Sequence, residues 1–82
     1  MSRRHLGEIP DARVQMAKEG IRRLTGREKE VMQLLVTAHT SKEVAEILKV
    51  SPRTIEIYRR RTFEKLGARN AADLVRIVAV LP

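Results

Sequence analysis

The stretch SPRTIEIYRRRTFEKL, residues 51 to 66, gathers Arg53, Arg59, Arg60, Arg61 and Lys65 around only two acids, Glu56 and Glu64. A guanidinium is a planar fork of N–H donors that grips a phosphate or a pair of coplanar acceptors, whereas an ammonium acts as a point charge. Residues of these types at this density can hold an acidic partner. A run of charge on a helix is more often plain solvated surface, so the reading depends on the elements that position it.

No other residues assemble into reactive chemistry. The chain has no Cys and two His, His5 and His39, which leaves out a disulfide framework and a thiolate zinc site and makes a metal cluster improbable. Scattered Ser, Thr, His and Asp residues give no spacing for a nucleophile, a base and an orienting group. Neither an enzyme nor a bound cofactor is expected. No apolar run approaches the roughly 20 residues that span a bilayer, and MSRRHLGEIP lacks the apolar centre of a signal peptide. The expected setting is the cytoplasm, with no membrane partner.

With 82 residues, 43% of them apolar, and a single Tyr and Phe, the chain suits one small helical domain with an aliphatic core. Seventeen Lys and Arg against ten Asp and Glu leave a net charge of +7. The excess is local: residues 1–24 carry six basic and three acidic groups, residues 51–66 five and two, while residues 25–50 balance at four each.

Helix signals follow one another along the chain. Residues 1–10 hold Gly7 and Pro10 without an apolar period and read as a loose tail. Asp11 is placed to cap a short helix through ARVQMAKEGIRRL that ends or bends near Gly20. Thr25 and Glu28 have the spacing of a capping box, so a helix should begin at Gly26. Leu24, Val31, Leu34, Leu35 and Ala38 then form its buried stripe, with Arg27, Lys29, Glu30 and Gln33 outside it. Thr40 with Glu43, or Ser41 as the cap, starts a short helix in which Val44, Ala45, Ile47 and Leu48 are available to pack. Ser51 caps the next helix and Pro52 fits its first position, where no amide donor is needed. Gly67 suits a left-handed helix end. Asn70 caps a last helix with more apolar residues than one core face requires, so Leu74, Val75, Val78 and Leu81 are candidates for a homodimer contact.

The segments around residues 41–60 have the spacing of a helix-turn-helix, with small Ala45 at the crossing and Lys49 in the turn. In the second helix of that pair Ile55, Tyr58, Thr62 and Leu66 face inward. Glu56, Ile57, Arg60 and Arg61 face outward, and Arg53 stands at the exposed start. Such a helix fits the major groove of double-stranded DNA, where arginine can pair with both acceptors of guanine and an apolar side chain can touch a thymine methyl. Glu56 either accepts from cytosine or pairs with Arg60 one helical turn away. Lys42, Thr54, Arg59 and Lys65, with Arg53, are placed for phosphates, which position a protein without specifying sequence.

From Leu24 to about Val80 the chain resembles the DNA-binding domain of the LuxR superfamily, above all the output domains of FixJ- and NarL-type response regulators. LTGREKEVMQLL, SKEVAEIL and VSPRTIEIYRRRTFEKLGARNAADLVRI carry the likeness. The resemblance implies an all-α, four-helix helix-turn-helix domain over residues 24–82, preceded by a linker or short helix in residues 1–23. It implies base contacts at Glu56, Ile57 and Arg60, phosphate contacts at Lys42, Arg53, Thr54 and Lys65, a structural role for Glu28, and dimerisation through the last helix. Ala38 stands where the family usually has Gly, Tyr58 where it often has His, and Thr62 where it often has Ile or Val. The expected role is sequence-specific regulation of transcription in a two-component system. RNA polymerase is a possible partner, as is a receiver domain that is not visible in this chain, which is then either an excised output domain or a stand-alone regulator. The rival reading is a protein-interaction module of sigma-factor-like or anti-regulator type, whose basic helix meets an acidic protein.

Overall fold

The computed structural model describes residues 11–37 and 39–81, and among them every regular element is an α-helix. In chain order these are α1 (Asp11–Arg23), α2 (Gly26–Val36), α3 (Ser41–Leu48), α4 (Pro52–Leu66) and α5 (Ala71–Ala79). The expected tail over residues 1–10, and Ala38, fall outside the described residues.

Side chains set the helix starts. Thr25 Oγ1 accepts from the Glu28 amide at 3.1 Å while Glu28 Oε1 accepts from the Thr25 amide at 3.0 Å, so the capping box is complete and α2 begins at Gly26. Thr40, rather than Ser41, does the same for α3 with Glu43, at 3.1 and 2.8 Å. Ser51 Oγ accepts from the Thr54 amide at 3.1 Å, and Pro52 follows in the first turn of α4. Asn70 Oδ1 accepts from the Asp73 amide at 2.8 Å to open α5.

Two left-handed residues end helices. Lys49, at φ 59°, closes α3 and forms the tight turn into α4. Gly67, at φ 71°, closes α4, and the following Ala68 amide reaches back to the Phe63 carbonyl at 2.9 Å. Glycine is favoured at 67 by this left-handed conformation, which side chains with a Cβ rarely adopt.

The core is aliphatic: Ala17, Val31, Val44, Ile55, Leu66, Leu74 and Ile77 are fully buried. α4 runs through the middle, touching α1, α2, α3 and α5. Ile55, Thr62 and Leu66 point inward along it, with Tyr58 half-buried, as its periodicity requires. Helix α1 runs through Gly20 to Arg23, and the absence of a side chain at Gly20 lets the Lys65 carbonyl of α4 press directly on its backbone. Two expectations change. Ile47 of α3 is exposed rather than packed. Leu74 of α5 is wholly in the core, so it offers nothing to a second copy.

α1 is the fifth helix of the packed domain, tied at both ends. Arg13 Nη2 donates to the Gly67 carbonyl at 2.9 Å and to Asp73 Oδ2 at 2.6 Å. At the other end Lys65 Nζ donates to the Arg23 carbonyl at 3.0 Å. Ala17 and Gly20 are buried between these ties.

Candidate nucleic-acid interface

A helix turns about 100° per residue, and burying Ile55, Thr62 and Leu66 therefore decides where every other side chain of α4 points. Arg53, Ile57, Arg60 and Glu64 form the ridge opposite the core, all of them exposed. Ile57 is an apolar side chain held 46% in solvent at the centre of this polar ridge. Pro52 and the Ser51 cap fix the start of the ridge, and the Lys49 turn sets α4 against α3.

The two flanks of the ridge differ. On the side facing α2, Arg61 lies within electrostatic reach of buried Glu28. Thr54 lies on the same flank, half-buried, with its hydroxyl 2.9 Å from Ser51 Oγ. On the other flank the guanidinium of Arg59 lies over the Phe63 ring, 4.7 Å from its centroid, and pairs with Glu56 at 3.6 Å. The intrahelical partner of Glu56 is thus Arg59, three residues on, and not Arg60. Among the described residues no hydrogen bond or ion pair ties Arg53 or Arg60.

Lys65 occupies a different position from the one expected of a phosphate contact. Its ammonium is 2.7 Å from Glu28 Oε1 as well as bonded to the Arg23 carbonyl, and so bridges α4, α2 and the end of α1. Burial alone would raise the Glu28 pKa, but the hydrogen bonds from Lys65 and the Thr25 amide and the charges of Lys65 and Arg61 outweigh it and hold the carboxyl below its ordinary range. Lys42 is exposed in the first turn of α3, near the entrance to the helix pair.

At the corner between α4 and α5 the buried carboxylate of Asp73 is surrounded by arginines. Arg13 is closest, with Arg69 Nε at 3.5 Å and Arg76 Nη1 at 3.9 Å, and the Arg69 amide donates at 3.0 Å. The Arg13 hydrogen bond leads these effects, and together they overcome burial and pull the Asp73 pKa down to about 2. Sequence reading passed over Arg69, although a lone arginine just before a helix cap is a visible signal of positive charge at a corner. On α5 the candidates for a dimer contact divide by burial. Val75 is exposed, Val78 and Leu81 are half-buried, Leu74 is enclosed, and Val80, absent from that set, is exposed.

Among the described residues no group of His, Cys, Asp or Glu is arranged to hold a metal ion, and no helix is long and apolar enough to cross a membrane.

Comparison with known proteins adds the following. Residues 22–78 match the model of the luxR family of bacterial regulatory proteins. The C4-dicarboxylate transport transcriptional regulatory protein DctR of Rhodobacter capsulatus is 46% identical over 50 residues, 61% of this chain and 25% of that protein. The transcriptional regulatory protein FixJ of Azorhizobium caulinodans is 38% identical over 71 residues, 87% of this chain and 33% of that protein. The transcriptional regulatory protein UhpA of Escherichia coli is 36% identical over 67 residues, 82% of this chain and 34% of that protein. This chain therefore spans between a quarter and about a third of these curated relatives. No solved structure matches it.

Proposed function

Because this chain belongs to the luxR family of bacterial regulatory proteins, a family of helix-turn-helix DNA-binding domains rather than enzymes, we propose that it reads a specific duplex with α4 in the major groove. The observation that carries this reading is the ridge of Arg53, Ile57 and Arg60, exposed on the second helix of the pair with both arginines untethered among the described residues. Arg60 has the fork that matches guanine O6 and N7, and Ile57 the apolar surface that matches a thymine methyl. Glu56 reads cytosine when it exchanges Arg59 for a base edge, and Arg61 meets the groove from the α2 side. Lys42, Arg53, Thr54 and Arg59 hold the phosphate backbone.

Two copies of the chain dock on related half-sites through α5, with Val75, Val78, Leu81 and the exposed Val80 at the contact. The domain is the output part of a two-component response regulator working in the cytoplasm. It receives its signal from a receiver domain and passes it on to RNA polymerase. The similarity to proteins named as transcriptional and response regulatory proteins supports this context.

The test is selection from a randomised duplex pool at near-physiological salt, with sequencing of the retained DNA. Enrichment of a two-fold-related motif is the expected result. Retention without any motif would mean that α4 contributes electrostatic attraction alone. Binding to an acidic protein that duplex DNA does not compete would favour the protein-interaction reading.

A further inference from the structure

A groove runs along the Phe63 flank of α4 to the α4–α5 corner, lined by Glu56, Arg59, Arg60, Phe63, Glu64 and Arg69, with Ala68 at its end. We infer that this groove is a phosphate-backbone clamp for duplex DNA, with Arg69 as its outer jaw. The inference rests on the DNA-binding reading above and adds to it a contact outside the helix pair.

Three features commit the groove to this ligand. Glu56 and Arg60 line both the groove and the edge of the base-reading ridge, so a duplex seated on the ridge carries one sugar-phosphate strand over the groove. Its charge is positive where it meets that strand. Of the two carboxylates, Glu56 is already paired with Arg59, leaving Glu64 against Arg60 and Arg69. Finally, Arg69 is held without being used up. Its side chain is 74% exposed, and its Nε stands 3.5 Å from Asp73, while Arg13 meets the same carboxylate oxygen at 2.6 Å. The Arg69 side chain is thus mostly in solvent with its guanidinium braced by the corner, a placement suited to gripping a phosphate. Lys65, on the opposite flank, has its ammonium committed to Glu28 and the Arg23 carbonyl, so Arg69 supplies on the α5 side a contact that Lys65 does not offer on the α2 side.

The experiment measures duplex affinity of the whole chain against salt concentration for the unaltered protein, Arg69→Gln and Arg69→Lys, with thermal melting of each as a check on folding. Removing one phosphate contact makes the slope of log affinity against log salt shallower by roughly 0.9. Arg69→Gln is expected to show that change, with affinity lowered several-fold for all sequences alike and melting unchanged, whereas Arg69→Lys keeps the slope. An Arg69→Gln slope equal to that of the unaltered chain overturns the clamp and leaves the DNA reading standing. A change of preference at one base pair also overturns it, since Arg69 would then read sequence. If the unaltered chain shows no salt-dependent duplex binding, the DNA reading fails and the clamp with it.

Discussion

Lys65 on α4 places its ammonium 2.7 Å from Oε1 of Glu28, the same oxygen that accepts the Thr25 amide in the capping box of α2. One buried carboxylate therefore serves a helix start and an interhelical bridge together. A lysine that sequence position offers to DNA also holds the recognition helix against α2.

Lys65→Met should therefore act on stability. Removing one partner leaves Glu28 buried and short of a hydrogen bond, and because Lys65 is itself 30% exposed the cost is discounted to roughly 1–3 kcal/mol. Chemical denaturation should show that loss. The salt dependence of duplex binding, measured where the variant is folded, should stay as it was.

Acid should loosen the α4–α5 corner late. The folded pKa of Asp73 is near 2, below its ordinary 3.8, so its stabilisation is fully present above about pH 4 and is lost as pH falls from there through 2. Glu28 is shifted in the same direction and adds to the loss as its own, lowered pKa is crossed. In Arg13→Ala the folded pKa of Asp73 should move back toward its unfolded value, so the loss of stability between about pH 4 and pH 2 should be smaller than in the unaltered chain. Identical pH profiles for the two would show that Arg13 does not hold Asp73 ionised.

Gly20→Ala should be destabilising although alanine favours helices by about 1 kcal/mol over glycine. The added Cβ would overlap the Lys65 carbonyl of α4, which is backbone and cannot swing away. A net loss in melting temperature is expected; a gain would mean that α1 does not lie against α4.

Thr62→Val should stabilise. The Thr62 side chain is fully buried and its hydroxyl finds no hydrogen-bond partner, so valine keeps the shape and removes an uncompensated polar group. A gain of about 1 kcal/mol would raise the melting temperature by about 4–8 °C for a domain of this size.

Arg60→Ala should weaken binding to the selected duplex by about 1–3 kcal/mol and relax preference at one base pair. Lys42→Ala should weaken all sequences alike. Uniform losses from both would remove Arg60 from the set of base readers.

What was legible in the sequence was local. Thr25 with Glu28, Thr40 with Glu43, Ser51 before Pro52, Asn70 and the left-handed Gly67 each act on backbone within a few residues. Their spacing therefore announced α2 to α5, and the apolar period of α4 announced which of its residues turn outward. Contacts between distant segments left no such mark. Arg13 finds Asp73 60 residues away and Lys65 finds Glu28 37 residues away, and neither spacing has a period. Tertiary packing alone decided that α1 docks on α4 through Gly20, that Leu74 is core while Val75 is surface, and that Lys65 braces helices while Arg69 stays open to solvent. The physical reason is that a helix specifies only which residues share a face. Which face meets a neighbour, and which charge finds a partner there, depends on how the helices close around one another.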